Sequence, residues 1–212
     1  MSNLSITDKI FFDNTDLDQV KLENIVDETL HNADDGELFL EYKQSESIVF
    51  DDGKVKNAAF DTLQGFGLRA ISGEATGYSH TSELSLDAIN RASNTVKAVT
   101  RGHSGELSKN PIKTNKTLYS EENPLSSLSF ESKVSLLEDI NNYARSKDDR
   151  VRQASISISG EWQAIQVIRT GGERFSDIRP LVRIGVSVMV EKDGRMETGS
   201  YGVGGRTNYE PH

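Results

Sequence analysis

Cysteine is absent from the 212 residues, which excludes disulfides, thiolate zinc sites and cysteine nucleophiles. That absence fits a reducing compartment. Long apolar runs are missing too: no stretch approaches the roughly 20 residues needed to span a bilayer, and Met1–Gln19 has neither an apolar core nor a cleavage pattern. A soluble cytoplasmic protein without a membrane partner is therefore expected. Basic charge is in deficit, with a net charge of −9, so the surface repels phosphate backbones and direct nucleic-acid binding is not expected. Proline (4 residues) and aromatics (7%) are sparse, while 35% hydrophobic and 27% charged residues suit a globular chain long enough for a real core. No fixed-period repeat is present.

Hydrophobic periodicity supplies the elements. Leu22, Val26, Leu30 and Ala33 recur at helical spacing and predict a helix over about 16–34, with Asp16 as its cap. "ELFLEYKQSESIVF" reads as a strand running into Asp52-Gly53, a hairpin signal, from which "KVKNAAF" returns. Phe66, Leu68 and Ala70 suit another strand, followed by a turn at Ser72-Gly73-Glu74 and a partner in "ATGYSH". Leu86, Ile89, Ala92, Val96 and Val99 predict a second helix, and Phe130, Val134, Leu137, Ile140 and Ala144 a third over about 129–147 with Ser129 as cap. Between them, 102–128 is polar and holds the best candidate for an internal boundary. The remainder is strand-like: Ile156 and Ile158 alternate with serines, Val182 to Val190 alternate cleanly, and Asp193-Gly194 is a second hairpin signal. Tight turns between consecutive strands imply antiparallel pairing, so the expected class is α+β with two antiparallel strand blocks and about three principal helices.

Motifs for chemistry are few. Gly65-Phe66-Gly67 invites a phosphate-loop reading, but Ala70 occupies the third glycine position and about fifteen residues separate the segment from the next helix. Strand glycines that admit a close neighbour are the better reading, and the same holds for Gly204-Gly205-Arg206, where an anion site is the alternative. The four histidines, His31, His80, His103 and His212, include no pair at i+3 or i+4, so no local metal pair exists. His80 lies among Ser79, Thr81 and Ser82, which raises a catalytic role against the simpler one of a surface histidine. Asp34-Asp35, Asp51-Asp52, Glu121-Glu122 and Asp148-Asp149 are sequential pairs whose side chains diverge, which suits solvated turns and not an acid/base dyad. Trp162 and Tyr201 read as core or interface aromatics. No residue is assigned a catalytic, cofactor-binding or metal-binding role.

"GFGLRAISGEATGYSHTSELS" and "RIGVSVMVEKDGRMETGSYGVGGR", in that order and spacing, resemble the N-terminal part of TldD/PmbA-family zinc metallopeptidases, on the TldD side. The resemblance covers roughly residues 16–206. It implies a TldD/PmbA N-terminal domain over 1–212 with the C-terminal metallopeptidase domain absent. It also implies a PmbA-like (TldE-like) protein subunit as partner, peptide substrates that are small or unfolded, and a family name linked to modulation of DNA gyrase. Zinc is expected in a C-terminal half that carries H-E-x-x-x-H; this sequence contains no such motif. The chain is thus expected to hold no cofactor and to be inactive alone, with apolar surface that favours a homo-oligomer. The alternative is a free-standing peptide- or protein-binding module.

Overall fold

The computed structural model describes residues 2–13, 15–103 and 118–209. The elements run α1 (Asn3–Asp8), a π turn (Lys9–Asp13), α2 (Gln19–Leu30), β1 (Asp35–Asp51), β2 (Lys54–Ser72), β3 (Ala75–Thr81), α3 (Leu86–Thr100), α4 (Phe130–Lys147), β4 (Val151–Arg169), β5 (Glu173–Lys192) and β6 (Arg195–Gly205). The strands form one six-stranded antiparallel sheet in the order β3-β2-β1-β4-β5-β6. The class is α+β, with three principal helices and the short α1. The two expected strand blocks are thus parts of one sheet. "KVKNAAF" and the Phe66 strand are likewise a single strand, β2, because nothing between Phe60 and Phe66 makes a turn. The first long helix starts later than expected: the Asp18 carboxylate, not that of Asp16, accepts the Lys21 N–H at 2.9 Å. Most of the 102–128 connection, residues 104–117, lies outside the described residues.

Contacts divide the chain into two compact units. The first comprises Met1–Lys43, Leu63–Thr117 and Ala164–Ile178. Leu22, Val26 and Leu30 of α2 and Ala88, Ile89, Ala92 and Val96 of α3 bury their helical stripes with Leu38, Leu40, Phe66, Leu68 and Ala70. The Thr29 and Ser93 hydroxyls, 2.6 Å apart, share a hydrogen bond in the buried seam between the two helices, and Thr29 also donates to the Ile25 carbonyl at 2.6 Å. Phe66 is a core residue; a Cβ on Gly65 would lie 2.5 Å from the Thr81 carbonyl, and one on Gly67 would lie 3.0 Å from the Tyr78 hydroxyl. These glycines let β3 and the Tyr78 ring sit close to β2, as the strand reading expects.

The second unit comprises Gln44–Thr62, Leu118–Gln163 and Arg179–His212. Its core gathers Ile48, Phe50, Leu137, Ala154, Ile156, Ile158, Val182, Ile184 and Tyr209. Ile156 and Ile158 enter this core and the intervening serines do not, as period-two alternation requires. Both hairpins form as expected. Asp52 (φ 51°) and Gly53 (φ 79°), then Asp193 (φ 53°) and Gly194 (φ 79°), put two consecutive residues in the left-handed region, the signature of a type I′ turn. Helix α4 presents its expected face: Leu137 is buried and Val134, Ile140 and Ala144 pack against the same core. Its buried residues are Lys133, Leu137 and Asn141, while Phe130 is 50% exposed.

Candidate functional site

The second unit holds a groove of about 640 Å³ on its sheet. Alternate residues of five strands line it: Ser45 and Ser47 of β1, Ala59 and Asp61 of β2, Ser159 and Glu161 of β4, Leu181 and Arg183 of β5, and Gly202 and Gly204 of β6. The core isoleucines and valines sit at the intervening positions, so this is the sheet face their side chains leave open. Its relief is low because serine and glycine dominate the lining. Arg183 lies flat against β6: a Cβ on Gly202 would meet its guanidinium at 3.0 to 3.5 Å.

Glu46 lines the same groove and belongs to a buried ionic cluster that sequence reasoning missed. Lys133 Nζ lies 2.7 and 2.9 Å from the two Glu46 carboxylate oxygens and donates to the Leu125 carbonyl at 2.6 Å. The Tyr209 hydroxyl donates to Glu46 Oε1 at 2.8 Å, and its ring centroid is 5.5 Å from the ammonium. Gly160 makes room for that hydroxyl, since a Cβ there would strike both Tyr209 and Leu125. Burial first, then the bond and charge of Glu46, push the Tyr209 phenol well above its ordinary pKa. The ammonium reaches three acceptors, so the cluster ties β1, α4 and the Tyr209 segment together. The signal was present in the sequence as a lysine one helical turn before Leu137, on the stripe that the fold buries.

The residues singled out in the sequence fall elsewhere. His31 is the C-cap of α2, and His103 follows α3. His80 is exposed on β3 with its ring 5.4 Å from that of Tyr78, and no described carboxylate bonds it. His212 lies outside the described residues. The acidic pairs serve local structure: Asp34 accepts the Gly73 N–H at 2.6 Å, Asp35 pairs with Arg169, Asp51 accepts from Gln153 at 3.0 Å, and Asp52 pairs with Arg145. The Arg150 guanidinium and N–H hold the Asp148 carboxyl far below the usual range. Arg206 lies over the Tyr119 ring at 5.2 Å, and Gly204 lets the Val182 carbonyl approach, so this segment is a glycine-rich strand end. Trp162 is buried and donates to the Glu121 carbonyl at 3.3 Å, whereas Tyr201 is 74% exposed and not a core residue. Tyr201 belongs to an edge strand that pairs on one side with β5. Among the described residues, no group of three or more His, Asp or Glu side chains is arranged to hold a metal ion, so this donor set does not fit a zinc centre. No described helix is long and apolar enough to cross a membrane.

Comparison with known proteins gives a consistent picture. Residues 36–99 match the PmbA/TldA metallopeptidase domain 1, and residues 123–211 match the PmbA/TldA metallopeptidase central domain. The metalloprotease TldD homologue of Haemophilus influenzae is 37% identical over 193 residues, covering 87% of this chain and 39% of that protein. The TldD homologue of Buchnera aphidicola from Schizaphis graminum is 36% identical, covering 84% of this chain and 37% of its own. The chain therefore spans about two fifths of the length of these curated relatives. Among solved structures, a Bacteroides thetaiotaomicron protein whose name links it to modulation of DNA gyrase superposes with a TM-score of 0.69 at 15% identity, over 91% of this chain and 46% of that one. TldE from Thermococcus kodakarensis superposes with a TM-score of 0.60 at 14% identity, over 88% of this chain and 43% of that one. At such identities these structures support the fold alone.

Proposed function

The chain belongs to the PmbA/TldD metallopeptidase family, and from that premise we propose that it forms the non-catalytic N-terminal portion of a TldD-type zinc metallopeptidase subunit. It works in the cytoplasm on small or unfolded peptides, beside a PmbA-type subunit. The observation that carries this reading is the ordered pair of domain matches in a chain spanning about two fifths of TldD homologues. Zinc and the cleavage chemistry then belong to the rest of a TldD-type chain, and these residues contribute scaffold, subunit contact and a wall that faces peptide. The test is reconstitution. The 212-residue chain alone should leave peptides intact, and a full-length TldD-type chain mixed with a PmbA-type partner should cleave them in a chelator-sensitive way. Cleavage by the short chain at the full-length rate would overturn the proposal.

One observation favours a second reading, a free-standing peptide-binding module. β3 pairs with β2 only from Phe66 to Ser72, so the β2 backbone before Phe66 has a strand neighbour on one side, β1, among the described residues. Such an edge takes a further strand by backbone pairing. A coding sequence that continues past His212 into H-E-x-x-x-H would decide for the metallopeptidase portion.

A further inference from the structure

We propose that the open sheet face of the second unit binds a short peptide with free termini, laid across the strands with its C-terminal carboxylate on Arg183 and its N-terminal ammonium on Asp61. The proposal rests on the peptide-handling reading above and adds a ligand class and two recognition residues to it. Arg183 is placed to act as an anion receptor. Its guanidinium lies over Gly202, 3.0 to 3.5 Å from where a Cβ there would sit. Among the described residues it has no ion-pair or hydrogen-bond partner, so its planar fork of five donors faces the groove unused. A carboxylate matches that fork with two parallel bonds. Asp61, across the groove, accepts the neighbouring Thr62 N–H at 2.8 Å and has no cationic partner among the described residues.

The spacing sets the ligand. In the strand order, β2 carries Asp61 and β5 carries Arg183, with β1 and β4 between them. Three inter-strand steps of about 4.8 Å place the two charges about 14 Å apart, and extended peptide advances about 3.4 Å per residue. About four residues therefore bridge the poles. The floor between them carries Ser45, Ser47 and Ser159, whose hydroxyls can bond peptide amides and whose small size leaves room for side chains. A volume of about 640 Å³ suits a ligand of this size. A phosphate group is disfavoured, because Asp61 and Glu161 line the same groove.

The test is an NMR titration of the 212-residue chain with tetra-alanine bearing free termini, with its C-terminal amide and with its N-acetyl form. The free peptide should bind with about millimolar affinity, as a few solvent-exposed polar contacts allow. Amidation and acetylation should each weaken binding about fivefold, the upper end for an exposed charge pair. Arg183→Ala should remove the penalty of amidation and Asp61→Asn that of acetylation; both side chains are exposed, so the spectrum of the fold should persist. No binding at tens of millimolar, roughly ten times the expected constant, would overturn the proposal. So would equal binding of all three peptides, or an Arg183→Ala chain that still discriminates against the amide. Occlusion of this face by the remainder of a full-length TldD-type chain, with no peptide shifts there, would assign it to that contact and overturn the proposal as well. Binding is read on this chain alone, so its failure leaves the assembly reading intact, whereas binding without reconstituted cleavage would count against the assembly.

Discussion

Lys133 shows how much depends on a single buried charge. Its side chain is 3% exposed and that of Glu46 10%, so each carboxylate and ammonium bond replaces water that the fold has removed. Lys133→Ala would strand the Glu46 carboxylate and should cost about 3–5 kcal/mol in urea unfolding. The double variant Lys133→Met with Glu46→Leu should recover part of that loss, because no unpaired charge remains, while the Tyr209 hydroxyl and the Leu125 carbonyl lose their partners. Tyr209 adds a pH signature. Its folded pKa is raised, so between the ordinary value of 10.0 and the higher folded one the native chain holds a proton that the unfolded chain has released. Stability is therefore full below pH 10 and falls as pH rises above it, with a slope approaching about 1.4 kcal/mol per pH unit. Tyr209→Phe should lose stability at neutral pH and lack this component of the alkaline slope, as paired urea titrations would show. At this scale the sequence was least legible. A lysine, a glutamate and a tyrosine separated by 87 and 163 positions in their bonded pairs leave no local pattern, and Arg183 looks like any polar residue on an alternating strand.

Turns and glycines were readable at the scale of elements because the constraint is local. Asp-Gly at 52–53 and 193–194 satisfies the backbone that a two-residue hairpin demands. Gly194→Ala should cost about 1 kcal/mol, since alanine is strained at that positive φ, and Asp193→Asn should be close to neutral because asparagine tolerates it. Urea midpoints of the two variants check this pair. Gly77→Ala should cost about 1–3 kcal/mol and loosen the α3–β3 contact, because the new Cβ would lie 2.8 Å from the Val96 carbonyl. Hydrogen exchange of the β3 amides reads it. What periodicity could not supply was the continuity of a strand and the polar residues buried beside a stripe. The same alternation describes two short strands or one long β2. The stripe of Val134, Leu137 and Ile140 identifies the buried face of α4, but not that Lys133 and Asn141, four residues either side of Leu137, are buried with it; the packing partner decides that.

For the whole molecule, the order of elements and the tight turns between consecutive strands were enough for an α+β class, while the arrangement of all strands into one sheet depends on pairing between β1 and β4 across about a hundred residues of sequence. The family became legible through the long pattern from Gly65 to Ser85 and from Arg183 to Arg206, segments that fall within the two domain matches. The central claim is that this chain supplies structure and peptide contact while the metal chemistry lies elsewhere in the family's longer chains. Metal analysis of the purified 212-residue chain, loaded with excess zinc and then dialysed, tests it most directly. The expected result is zinc far below one equivalent and no peptide cleavage. One tightly held zinc per chain, with cleavage abolished by a chelator and restored by zinc, would contradict it.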